Sequence, residues 1–241
     1  MIFEQFIFDY LSGSKFSGGL VVECKDSKDK QIIYRLDCLE KLTKNKKVIH
    51  VGCVDHLPLI EKKIDENTWL HKRLDKVATK CLGIDINQEG LDFLRHKLGY
   101  QDVYQMDIIN DSMISQISGE KWDFLILGEI LEHVDDPTLF LKKLKANFKD
   151  HCDSIVITVP NAFKLVNFRR ALKHEEFINT DHRFWFTPFT LAKVCVGAGL
   201  NIDGFELVLD KPVGLRRILK KILVSRYPML RDIIVMKLNM T

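Results

Sequence analysis

Over 241 residues the chain has six prolines, no Cys-x-x-Cys pair and a net charge of only +3. It also lacks any stretch of about 18 uninterrupted apolar residues, which argues against a transmembrane helix. Cys24, Cys38, Cys53, Cys81, Cys152 and Cys195 are scattered, and none sits with histidines at zinc-finger spacing. Cys81 and Cys195 lie inside apolar runs and read as small buried residues, which suits a reducing, cytoplasmic setting. The first ten residues carry Glu4 and Asp9 and have no basic region followed by an apolar one, so they do not read as a signal peptide. A charge of +3 is too small for a dedicated nucleic-acid binder. Repeats, Pro-rich linkers and low-complexity segments are missing as well. What remains is a soluble globular chain whose length suits one decorated domain, with 46% apolar and 29% charged residues.

From Lys47 onward short apolar runs alternate with amphipathic segments, the pattern of a parallel sheet wound with helices. The runs at 48–51, 81–85, 103–107, 124–127 and 155–159 mostly lack polar alternation, as expected for strands covered on both faces. Helices are expected over 87–98, with Leu91, Leu94 and Leu98 on one face, and over 188–198. A third, over 137–148, has Asp136 as its N-cap, Pro137 at its first position and Phe140, Leu141 and Leu144 turned inward. Two last strands at 205–209 and 232–238 complete a seven-stranded, Rossmann-like doubly wound α/β sheet. Residues 1–46 read as an N-terminal extension to a domain over 47–241. Within that extension, strands at 20–24 and 31–34 flank a polar turn at 25–30, and a short helix follows over 35–44.

Four strand ends carry the chemistry. The first run ends in Gly52, Cys53, Val54, Asp55 and His56, and a glycine there lets backbone approach a ligand. The second ends in Asp85, placed either to accept from both hydroxyls of a ribose or to cap the next helix. The spacing from Gly52 to Asp85 exceeds the usual distance of about 20 residues, and an insertion or an additional helix over 66–74 is expected to account for it. Asp107 closes the third run, and the fourth ends at Gly128 and Glu129 ahead of Asp136 and Pro137.

Taken in order, Val-Gly-Cys, Gly-Ile-Asp, Met-Asp and Gly-Glu-Ile-Leu-Glu-His-Val-Asp-Asp-Pro resemble the class I S-adenosylmethionine-dependent methyltransferases over about residues 45–200. The likeness is greatest to their small-molecule O-methyltransferase branch and to methyltransferases of bacterial envelope and polysaccharide pathways. It implies S-adenosylmethionine as cofactor and S-adenosylhomocysteine as product. By that resemblance Gly52, with Cys53, would lie beside the methionine part and Asp85 would bind the ribose. Asp107 would face the adenine amino group, and Ile86 and Ile108 would flank the ring. Gly128 and Glu129 would lie near the methionyl ammonium and the transferred methyl. One departure stands out: the family usually carries Gly-x-Gly-x-Gly after the first strand, and Val54 and His56 take the second and third glycine positions. Side chains would then stand where backbone crowds the cofactor, implying a variant loop or a degenerate site; the intact acidic positions favour the variant.

Methyl transfer from a sulfonium needs alignment, and a hydroxyl acceptor also benefits from a base. His133 and His182 are the candidate catalytic bases. His133 reads equally as a loop-stabilising residue, and His182 sits in an aromatic-rich stretch similar to the substrate loop of sugar and quinone methyltransferases. Glu129, Glu132 and His133, with His182 from another loop, also resemble the set of metal-assisted methyltransferases of ubiquinone and small RNA. The same Leu-Glu-His-Val wording occurs in members that use no metal, and no metal is expected. The acceptor is expected to be a small molecule, a sugar or lipid-linked metabolite, and not a nucleic acid. An RNA 2′-O-methyltransferase and a non-catalytic partner subunit are the rival readings. Residues 214–223 place Leu215, Ile218, Leu219, Ile222 and Leu223 on one helical face and Arg216, Arg217, Lys220 and Lys221 on the other. Such a helix either packs on the sheet or makes peripheral contact with anionic lipid at the inner face of a membrane.

Overall fold

In the computed structural model the apolar runs form strands and the periodic segments between them form helices. Residues 1–24, 32–210 and 218–240 are described. The seven strands are β1 (Lys47–Val51), β2 (Lys80–Asp85), β3 (Val103–Gln105), β4 (Trp122–Gly128), β5 (Cys152–Pro160), β6 (Asn201–Val208) and β7 (Ile233–Asn239). They make one sheet in the order β3-β2-β1-β4-β5-β7-β6. β1 pairs in parallel with β2 and β4, β2 pairs in parallel with β3, and β6 pairs antiparallel with β7. The doubly wound sheet expected from the sequence is therefore present, as a mixed one. Its connections diverge between β1 and β4, which is where open α/β sheets take ligands at their carboxyl edge.

The helices follow the sequence closely. They are α1 (Ile7–Ser12), α2 (Arg35–Thr43), α3 (Leu57–Asp65), α4 (Leu70–Val77), α5 (Gln88–Leu98), α6 (Ser115–Ser118), α7 (Pro137–Phe148), α8 (Leu165–Ala171), α9 (Pro188–Gly197) and α10 (Ile218–Arg226). Asn87 caps α5 by accepting from the Gly90 amide at 3.0 Å, and Asp136 caps α7 by accepting from the Leu139 amide at 2.9 Å. In α7 the inward positions are Leu141, Leu144 and Phe148, whereas Phe140 is only half-buried. The long connection between Gly52 and Asp85 is filled by two helices, α3 and α4.

The N-terminal expectation needs correcting. Residues 20–24 form no strand, and Tyr34 makes a single parallel bridge to Leu209. The expected turn at 25–30 and Gln31 lie outside the described residues, as do 214–217 of the expected C-terminal helix. Among the described residues no helix is long and apolar enough to cross a membrane.

The chain divides into two compact units. Unit 1 comprises Met1–Arg35, Glu129–Lys142 and Ile157–Asn239, and unit 2 comprises Leu36–Gly128 with Lys143–Val156. The core of unit 2 is apolar around Val54, Ile60, Trp69, Leu91, Leu94 and Val103, with one polar seam. His50 on β1 and His71 on α4 are both buried, their Nδ1 atoms 3.3 Å apart. One of the two must donate and the other accept, and burial presses the His71 pKa down to about 4. Unit 1 buries more charge, with Arg35, Glu132 and Arg231 all largely buried.

Candidate functional site

In unit 2 the glycine loop is a tight backbone construction. Gly52 adopts φ 73°, in the left-handed region. Its amide and that of Cys53 both donate to the Ile84 carbonyl, at 2.8 and 3.3 Å. Asp85 then fastens the loop from the next strand, its Oδ2 accepting from the Val54 amide at 2.9 Å and its Oδ1 from the Asn87 amide at 3.0 Å. Asp85 therefore ends β2 and orders the turn into α5, but the cap of that helix is Asn87 and not Asp85.

The two departures from the glycine pattern resolve differently from the expectation. Val54 is buried in the apolar core beneath the loop and packs against the Cα of Gly90 on α5. A Cβ built on Gly90 would meet Val54 Cγ1 at 2.2 Å. The missing loop glycine is therefore matched by a glycine on the facing helix, and the Val54 side chain is turned into the protein. His56 is exposed at the start of α3.

Cys53 turns its side chain inward. Its thiol is fully buried, burial pushes its pKa up, and its carbonyl accepts from Trp69 Nε1 at 3.1 Å. It is a core residue with its polar atoms already engaged. Ile86, 72% exposed, stands clear of the core, whereas Ile108 is buried. Asp107 lies two residues past the end of β3, where its carboxylate accepts from the Ile109 and Asn110 amides and from Asn110 Nδ2, at 2.8 to 3.2 Å. Those bonds hold its pKa below the usual carboxylate range. Gly128 is the last residue of β4.

In unit 1, Glu129 has φ 60°, an uncommon conformation for a residue with a side chain. Its amide donates to the Thr158 carbonyl at 2.9 Å, and its carboxylate meets the buried Arg35 guanidinium at 3.3 Å. Arg35 Nε in turn donates to Thr158 Oγ1 at 3.1 Å. Sequence reasoning missed Arg35 because no local pattern ties it to a glutamate 94 positions away.

The next turn of chain, Leu131–His133, carries the second group. The Arg183 amide donates to the Glu132 carbonyl at 2.8 Å, which clamps the loop bearing His182 against it. One donor atom from each of Glu132, His133 and His182 lies within 4.8 Å of the others. The two imidazoles meet edge to face, with centroids 4.7 Å apart. His133 Nδ1 lies 3.2 Å from the Asp181 carbonyl. Because a carbonyl only accepts, Nδ1 carries the hydrogen and Nε2 keeps a free lone pair.

Glu132 is fully buried, and among the described residues neither of its carboxylate oxygens has a hydrogen-bond partner; nor does His182 Nδ1. Burial raises the Glu132 pKa to about 8, and burial with the nearby His133 lowers that of His182. Of the two carboxylates considered with the histidines, the structure brings only Glu132 into the cluster; Glu129 belongs to Arg35.

The comparisons agree with this architecture. The family model described as a methyltransferase domain matches residues 31–203, whereas no curated protein sequence matches the chain. Among solved structures, magnesium protoporphyrin IX methyltransferase from Synechocystis PCC 6803, determined with bound S-adenosylhomocysteine, is similar at 13% identity. It has a TM-score of 0.52, with 85% of this chain and 81% of that one covered. A putative methyltransferase from Bacillus halodurans C-125 is 12% identical with a TM-score of 0.52, covering 86% and 98%. The small RNA methyltransferase HEN1 is 16% identical with a TM-score of 0.53, covering 89% of this chain and 27% of that one. At such identities these likenesses speak for the fold. The family match, which spans more than half of the chain, carries the assignment: the chain belongs to the methyltransferase domain family and is an S-adenosylmethionine-dependent methyltransferase.

Proposed function

We propose that the protein transfers a methyl group to a hydroxyl of a small acceptor, with the Glu132–His133–His182 cluster handling the acceptor oxygen. The observation that carries this reading is the buried Glu132 carboxylate, whose two oxygens lack any hydrogen-bond partner beside two histidines. An orphaned carboxylate costs free energy unless something restores its partners. These donors, one carboxylate and two imidazoles, fit a divalent cation held by Glu132, His133 and His182. Such an ion would supply Lewis acidity that makes a hydroxyl a better nucleophile. This goes beyond the metal-free expectation from sequence.

The protein's own residues do the rest. Burial keeps His182 neutral near pH 7, the form able to ligate a metal or take a proton. The Asp181 carbonyl orients the His133 ring. In unit 2, Gly52 and Asp85 would hold the methionine and ribose parts of the cofactor, and Ile86 would offer its exposed side chain to the adenine. Asp107 would reach the adenine only through lone pairs its own turn leaves open. The burial of Val54 supports an intact cofactor loop over a degenerate one, and so an enzyme over a mere partner subunit.

A sugar or envelope metabolite as acceptor rests on the sequence resemblance. Peripheral membrane contact likewise rests on the sequence pattern around α10, which buries Val224 and leaves Ile218, Ile222 and Leu223 exposed.

The deciding experiment is calorimetric titration with S-adenosylhomocysteine and, separately, with Mn2+. Wild type should bind both. Asp85→Ala should lose the first ligand and Glu132→Gln the second. A folded wild-type protein that takes up no Mn2+, with chelator-insensitive methyl transfer, would end the cation reading.

A further inference from the structure

A second functional feature lies beside the histidines in unit 1. Lys164 stands just ahead of α8, and its Nζ sits 4.6 Å from the centroid of the Trp185 ring. Trp185 turns its edge to His182, centroids 6.3 Å apart, so one aromatic ring joins the lysine to the cluster.

This placement is built by the backbone. Asn161 and Phe186 form a bridge between the two segments, and the Ala162 amide donates to the Phe186 carbonyl at 2.7 Å. Asn161 is fully buried. Its Nδ2 donates to the Met229 and Arg231 carbonyls at 2.8 Å each, while its carbonyl accepts from the Lys164 amide at 3.0 Å.

Several cations of unit 1 have their charge answered. Arg35 meets Glu129, Arg170 meets Glu175, Arg183 meets Asp135 and Lys220 meets Asp232. Lys164, half-buried, has no carboxylate within ion-pair distance among the described residues. Burial lowers its pKa, opposed at longer range by Asp232, Glu129 and Asp210. A tryptophan face returns only part of the hydration that a half-buried ammonium gives up. An anion would return the remainder.

We propose that Lys164, seated on Trp185, receives an anionic group carried by the acceptor, a phosphate or a carboxylate. The inference rests on reading the Glu132–His133–His182 cluster as the acceptor site, but its test does not need that reading. Trp69 and Trp122 are buried and Trp185 is partly exposed, so collisional quenching of tryptophan fluorescence reports chiefly on Trp185. The full-length protein, saturated with S-adenosylhomocysteine, is titrated with iodide and with neutral acrylamide.

Iodide quenching should fall by about twofold to threefold in Lys164→Gln while acrylamide quenching holds. Inorganic phosphate or acetate should suppress iodide quenching in wild type and not in the variant, and the stronger of the two names the chemistry. Equal iodide quenching in wild type and Lys164→Gln would overturn the proposal. So would iodide sensitivity that survives Trp185→Phe, since the anion would then sit elsewhere. A tenfold loss of S-adenosylhomocysteine affinity in Lys164→Gln would overturn it as well, by giving the lysine to the cofactor carboxylate. The readout uses neither metal nor acceptor, so a wild-type protein that fails to bind Mn2+ strikes the cluster reading alone.

Discussion

The two units treat their acidic residues in opposite ways. In unit 2, Asp85 accepts from the Val54 and Asn87 amides, and Asp107 accepts from the Ile109 and Asn110 amides and the Asn110 side chain, at 2.8 to 3.2 Å. In unit 1, Glu132 is buried deeper than either, and its carboxylate has no hydrogen-bond partner among the described residues. A carboxylate satisfied by the fold shapes a loop; a buried one left unsatisfied costs free energy.

The sharpest way to test that contrast is to neutralise the orphan. Glu132 has a folded pKa of about 8, above its ordinary value. Without metal, stability is therefore full below the unfolded pKa and falls as pH rises towards 8, because the unfolded chain ionises first. Glu132→Gln should make the metal-free protein more stable at pH 8, by on the order of several kcal/mol. Urea denaturation across pH 5 to 9 measures this. A variant no more stable than wild type at pH 8 would mean that Glu132 is not starved of partners.

Unit 2 should fail at the other end of the scale. The His71 pKa is lowered to about 4, so its contribution is intact above pH 6.5 and is lost as pH falls from 6.5 towards 4. The shift corresponds to about 3 kcal/mol. His71→Gln should flatten that acid limb in the same titration; an unchanged limb would transfer the effect to other groups.

The matched pair in unit 2 can be broken and mended. Gly90→Ala drives a methyl into Val54 and should cost about 2 kcal/mol despite the better helix former. Adding Val54→Ala should restore most of it, together with S-adenosylhomocysteine affinity. Failure of the double variant to recover would show that the two sites do not couple. The smallest effect is expected in unit 1 at the head of α7. There Asp136→Ala removes the cap on Leu139 and should lower stability by about 1 kcal/mol in thermal unfolding.

Much of this protein was legible along the chain because much of it is periodic. Lys47–Val51, Lys80–Asp85 and Trp122–Gly128 show as apolar runs, since strands buried on both faces cannot afford polar alternation. Asn87 and Asp136 announce their helices because capping is a local bond three residues long. The expected strand at 20–24 did not form for the converse reason: those residues have strand-like composition and no strand partner among the described residues.

The sequence by itself determined the alternation of strands and helices, the acidic strand ends and the presence of Glu132, His133 and His182 in the chain. Tertiary structure alone decided what those residues meet. It turned Val54 into the core against Gly90, drew Arg35 onto Glu129, left Glu132 without a partner and laid Lys164 over Trp185. Periodicity and capping are interactions between near neighbours, so they are written in short stretches of sequence. Satisfaction of a buried charge depends on groups brought together from distant positions, and only the folded chain specifies them.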